Sequence, residues 1–142
     1  MNEFTLVYPM AAMVLLTAVV LIRMVLGRVG AVKSGAVDAR YYKTYQGENT
    51  EPRKAAQNAR HFVNLFENPV LFYAACIVAM VTGQGSGLIV WLAWAYVVVR
   101  VLHAVVHLGT NKIPPRMAIY GTSWVVLLAM WGLLVFGVAR IP

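Results

Sequence analysis

The chain is predicted to be all-α: an integral membrane bundle of four helices. Three observations predict it. The sequence is 61% hydrophobic and only 12% charged. Its apolar residues gather in blocks at about 6–26, 62–82, 88–108 and 119–138. Each block is close to the ~20 residues that a helix needs to cross ~30 Å of hydrocarbon. Within 142 residues such spans leave no room for a separate soluble domain, so 1–142 is read as a single membrane domain.

The first block is longer than a signal-peptide core and has no basic residue ahead of it, so it is expected to be a retained span. Arg23 lies near its end and can snorkel to the interface. The connection at about 28–60 is long for a compact bundle, a trait more often functional than idle. Within it, Gly47-Glu48-Asn49-Thr50-Glu51-Pro52 reads as a turn leading into a helix, with Thr50 as N-cap and Pro52 in the first turn. One helix is then expected to run to Thr82, about 48 Å at 1.5 Å per residue, with its first turns outside the bilayer. Pro69 removes a backbone donor and predicts a kink beside Glu67.

Cys76, the single cysteine, excludes an intrachain disulfide and reads as a small packing residue. The second connection, 83–87, carries no charge. Gly109 is the expected C-cap of the third span, and Thr110-Asn111 followed by Pro114-Pro115 predicts a tight turn into the fourth helix. Arg116 then falls in that helix's first turn, where a guanidinium adds to exposed N–H groups and the positive end of the helix dipole. That combination suits an anion or a thiolate.

The net charge of +7 is unevenly spread. Arg28, Lys33, Arg40, Lys43, Arg53, Lys54 and Arg60 lie between the first two spans, and Lys112 and Arg116 between the last two. The positive-inside rule places both connections in the cytoplasm and both termini outside. Arg28, Lys33, Arg40 and Lys43 read as a basic face toward anionic membrane lipid, and nucleic acid is not an expected partner. The tryptophans and Tyr41, Tyr42, Tyr45 and Tyr96 read as interface or packing residues.

Chemistry is expected from polar residues inside the apolar blocks, since no Walker, GxGxxG, HExxH or CxxC motif is present. Arg60, Asn64 and Glu67 share one helical face, and Arg100, His103 and His107 share another. Charges at bilayer depth cost several kcal/mol unless they face the bundle interior and find partners. Arg100 and Glu67 are the expected structural ion pair. A lone bundle would leave part of the Arg60 and Arg100 stripes facing lipid. With Arg116, the set offers several cations and one carboxylate to a ligand bearing carboxylates and an amine, an inventory that glutathione matches. His103 and His107 at i and i+4 have metal-ligand spacing, and His61 would add to a haem-type set. A metal wants a third ligand and a haem wants opposed histidines, so the pair is read as hydrogen-bonded cavity lining and no metal is expected.

The run Arg60-x-x-x-Asn64-x-x-Glu67-Asn68-Pro69, then Arg100-x-x-His103-x-x-x-His107-x-Gly109, then Pro114-x-Arg116-x-x-x-Tyr120, resembles the MAPEG family, membrane-associated proteins in eicosanoid and glutathione metabolism. The likeness extends to its microsomal glutathione transferase and prostaglandin E synthase branches. It implies a homotrimer with glutathione as co-substrate in a cleft between protomers near the cytoplasmic side. It also implies glutathione contacts from Arg28, Arg60, Asn64, Glu67, His103, His107 and Tyr120, with Arg116 as the catalytic, thiolate-stabilising residue. His107 stands where the synthases carry Tyr, Val63 where the prostaglandin branch has Arg, and Met117 where it has Ser, which argues against an eicosanoid substrate. The expected activity is glutathione transfer to, or peroxide reduction on, a lipophilic small molecule in a bacterial inner membrane. The alternatives are a non-catalytic lipid-binding or scaffold protein of this fold and a transporter using Glu67 as its proton site.

Overall fold

The computed structural model describes residues 3–46 and 50–139. A short 3-10 turn, Glu3–Leu6, leads into α1 (Val7–Lys33); α2 (Tyr41–Thr44) is a single turn in the first connection; α3 (Arg53–Asn64), α4 (Asn68–Val81), α5 (Leu88–Leu108) and α6 (Ile113–Val138) follow. Among the described residues there is no strand. Four helical stretches are long and apolar enough to cross a membrane: α1, α3 with α4, α5, and α6. Side chains such as Leu15, Val81, Trp91, Val105 and Phe136 point outward, as lipid contact requires.

α1 runs past residue 26 to Lys33 and carries Arg28 within it, so the stretch between α1 and α3 is residues 34–52. The extension is held by α3. At Gly27 an added Cβ would sit 3.2 Å from Asn58 Nδ2 and 3.8 Å from the Ala55 Cα. A small residue facing a small residue lets the two backbones approach closely. Asn58 Nδ2 also donates to the Arg23 carbonyl at 3.4 Å.

The expected single helix through Pro69 is broken. α3 ends at Asn64, Leu65 to Glu67 form a turn, and α4 starts at Asn68 with Pro69 in its first turn. A proline whose missing N–H lies among the unbonded donors of a first turn favours a new start over a bend. Thr50 does not cap α3; Pro52 occupies the N-cap position without a side-chain bond, and Gly47–Asn49 lie outside the described residues.

A polar chain joins the helices beside the break. Tyr96 of α5 donates to Asn68 Oδ1 at 2.7 Å, Asn68 Nδ2 donates to Ser123 Oγ of α6 at 3.1 Å, and Ser123 donates to the Tyr120 carbonyl at 2.6 Å. All three side chains are buried. Tyr96 also stacks on Phe72 at 4.4 Å between centroids, so it is a core residue and not an interface one. Cys76 packs as expected in the same core, with Met13, Val20 and Met130.

Tyr96→Phe should lower stability by about 0.6–1.7 kcal/mol, the range of intramembrane hydrogen bonds. Asn68→Ala should cost more, because it strips a partner from both Tyr96 and Ser123. Reversible unfolding in mixed micelles measures both. An equal loss in the two variants would show that Asn68 does not join the helices.

Candidate functional site

The turn at Leu65–Glu67 builds the site. Arg100, buried completely, reaches from α5 to the end of α3, where its Nη2 donates to Asn64 Oδ1 at 2.8 Å and to the Asn64 carbonyl at 3.3 Å. Asn64 in turn donates from Nδ2 to Glu67 Oε2 at 2.8 Å. The expected Arg100–Glu67 ion pair is therefore replaced by a relay through Asn64. The break shapes this: with α3 ended at Asn64, the carbonyl there accepts only a long 3.4 Å bond from the Glu67 N–H, and Arg100 adds a second donor. Arg100 is enclosed within the bundle, whereas Arg60 and Glu67 stay exposed, so of the two stripes it is the Arg60 one that is left partly facing outward.

An open groove of about 230 Å³ is lined by Asn64, Glu67, His103, His107, Arg116, Met117 and Tyr120. Six of the expected site residues thus meet on one surface, drawn from the α3–α4 turn, α5 and α6. His103 and Tyr120 lie 5.5 Å apart by ring centroid, and the Arg100 guanidinium stands 5.9 Å from the Tyr120 ring. Arg116 lies in the first turn of α6, as expected, and its Nη1 donates to Asn111 Oδ1 at 2.7 Å. Asn111 has a left-handed backbone, φ 51°, in the turn that Gly109 opens. A Cβ at Gly109 would come within 2.7 Å of the Val105 carbonyl oxygen, so the turn needs glycine there.

Beside the groove lies a larger cleft of about 550 Å³, whose wall shares His107 and Arg116 with the groove and adds Arg53, Lys54, Arg60 and Glu51. It brings Arg53, Lys54 and Arg60 of α3 together with Arg116 of α6 at one end of the bundle. The Gln57 amide donates to the His107 carbonyl and clamps α3 to α5 at this point.

Arg28 and Arg60 are not groove residues. Arg60 lines the basic cleft, and Arg28 turns to Glu51, Nε to Oε1 at 3.2 Å, in the one ion pair among the described residues. Its guanidinium lies 5.1 Å from the Tyr42 ring and 5.7 Å from that of Tyr45. Arg60 is parted from Glu67 because the helical face they were expected to share ends at Asn64.

Comparison with family models gives a match over residues 6–136, which spans α1 through most of α6. The chain belongs to the MAPEG family. With four helices able to cross a bilayer, this makes it a multi-pass integral membrane protein of a family that generally uses glutathione. Comparison with curated proteins and with solved structures found no match.

Sequence reasoning missed Glu51, Gln57, Tyr96, Asn111 and Ser123 as residues that position the side chains of the groove and cleft. Nothing in their local pattern marks them; each acts through a partner far along the chain or across a turn. The histidines also depart from expectation. Both nitrogens of His61 and His103, and Nδ1 of His107, are buried without a hydrogen-bond partner among the described residues.

Tyr42, in the connection outside the spans, has its phenol raised above the ordinary value near ~10 by burial first and by the Glu51 charge next. The folded connection favours the neutral phenol, so its contribution to stability is complete below the ordinary tyrosine range and is lost as pH rises through the raised folded value. Glu51→Gln should bring the titration part of the way back. Phenolate absorbance of wild type minus Tyr42→Phe reads it; titration of Tyr42 in the ordinary range would contradict the burial of its hydroxyl.

Proposed function

We propose that the groove binds glutathione and that the protein is a membrane-bound glutathione transferase or peroxidase acting on lipophilic electrophiles. One observation carries the reading: Asn64, Glu67, His103, His107, Arg116 and Tyr120 converge on a groove that adjoins a basic cleft. The chemistry divides between the two. Arg60, Arg53 and Lys54 offer cations to the carboxylates of the tripeptide, Glu67 offers its carboxylate to the ammonium group, and Arg116 faces the thiol. Arg28 is engaged by Glu51, so the carboxylates fall to the cleft cations.

A thiol of pKa ~8.5 is mostly protonated at neutral pH; moving it down by about two units requires stabilising the thiolate by roughly 2.7 kcal/mol. Arg116 brings a guanidinium held in place by Asn111, at a helix start where the dipole adds positive potential. The thiolate sulfur forms a bond to an electrophilic carbon, and the leaving group departs with the electron pair of the bond it breaks. On a hydroperoxide the sulfur takes the distal oxygen, the alkoxide is protonated to the alcohol, and a second glutathione displaces water to give the disulfide. Met117, half exposed at the groove wall, supplies apolar contact for the electrophile.

The groove opens on the outer face of the protomer, where Glu67 and Arg60 are exposed. Exposed charge at bilayer depth is costly, which supports a neighbouring copy closing the site in a homotrimer. The positive-inside rule favours a cytoplasmic position for the basic end.

Calorimetric titration of the detergent-solubilised protein should show glutathione binding that weakens with salt and in Glu67→Gln. Binding unchanged in Glu67→Gln would rule out the assignment of the amine to that carboxylate. No binding at all would favour the lipid-binding scaffold. Mass measurement in mild detergent should give three copies; a monomer that retains full affinity would remove the intersubunit site.

Arg116→Ala should leave glutathione affinity within about tenfold, ~1.4 kcal/mol, while cutting conjugation of a model electrophile much further. Titration of the bound thiolate absorbance tests the cause. A bound thiol that titrates at the same pH in wild type and variant would exclude Arg116 as the activating group.

A further inference from the structure

The absence of a third ligand was the ground for expecting no metal, and the fold supplies one. His61, in the last turn of α3, lies against His103 and His107 of α5, with ring centroids 5.5 Å and 4.9 Å away, and the α5 pair are 5.6 Å apart. We propose that His61, His103 and His107 form a three-histidine site for a divalent transition metal of the zinc class, with a fourth position open to the groove.

Geometry comes first. One ring nitrogen from each histidine can be chosen so that all lie within 4.8 Å of one another. Three nitrogens at 2.0–2.1 Å from a tetrahedral ion are about 3.3 Å apart, so the set closes on a metal by moving each ring inward by about 1 Å, within reach of small side-chain rotations. The rings are already held: His103 and His107 sit one turn apart on one helix, and α3 is tied to α5 by Gln57 at the His107 carbonyl and by Arg100 at Asn64.

Burial points the same way. The three histidines are 0%, 3% and 9% exposed, and five of their six ring nitrogens are buried with no hydrogen-bond partner among the described residues. Leaving such groups unsatisfied is costly. A bound cation accepts one lone pair from each ring and so gives each histidine a partner.

Ligand softness and count select the metal. An all-imidazole set suits zinc and its first-row neighbours and does not suit magnesium or calcium, which take oxygen. Three protein ligands leave one position, and His103 and His107 form groove wall while His61 lies behind them, so that position faces the groove. Arg116 lines the same groove, so an anionic fourth ligand would offset the added charge. This site does not depend on glutathione binding.

The full-length protein in mild detergent, stripped with a chelator, should take up one Co²⁺ per protomer, with the intense visible absorption of a tetrahedral cobalt centre, and Zn²⁺ should displace it. His61→Asn should weaken Co²⁺ binding by at least about a hundredfold. X-ray absorption of the zinc-loaded wild type should show three imidazole ligands, a readout that needs no variant to fold. Stripped wild type that takes up no Co²⁺, equal Co²⁺ affinity in His61→Asn, or fewer than three imidazoles around the zinc would each overturn the proposal.

Discussion

A single buried guanidinium holds this site together. Arg100 is fully enclosed at bilayer depth, where a charge is costly; its Nη2 finds two acceptors at the severed end of α3, while Nε and Nη1 are buried with no hydrogen-bond partner among the described residues. The exchange is reciprocal. The Asn64 carbonyl at the helix break gains a second donor beside the Glu67 N–H, and the arginine gains acceptors at bilayer depth. Asn64 passes the interaction to Glu67, so a neutral amide stands between the charges and fixes the carboxylate at the groove edge.

The break also sets what lies around it. Because α4 starts at Asn68, that side chain is free of the helix that precedes it and bonds Tyr96 and Ser123, tying α5 and α6 to the same point. α6 then brings Tyr120 toward Arg100 and His103, and its first turn carries Arg116. A continuous kinked helix would leave Asn68 with no reason to face the core. The polar residues of three helices would not converge.

Arg28 shows how a residue of the right type is diverted. The family likeness gives it a ligand role, but α1 continues past the expected boundary, and the connection folds Glu51, Tyr42 and Tyr45 around the guanidinium. An ion pair with an aromatic surround neutralises the charge locally. The exposed cations of α3 line the cleft beside Arg116 instead.

Hydrophobic length and charge placement by themselves determined the four spans and singled out most of the polar residues that meet at the groove, because both follow local rules: 1.5 Å of rise per residue and the cost of charge in lipid. The order and spacing of Arg60, Asn64, Glu67, Arg100, His103, His107, Arg116 and Tyr120 already carried the MAPEG likeness. Proline chemistry was legible only as a choice between a bend and a start, and tertiary contact decided it, since Arg100 could satisfy the carbonyl that a start exposes. The end of α1, the diversion of Arg28 and the meeting of His61 with His103 and His107 were likewise decided by packing. Each depends on groups many residues apart approaching in space, a distance that no local period in the chain encodes.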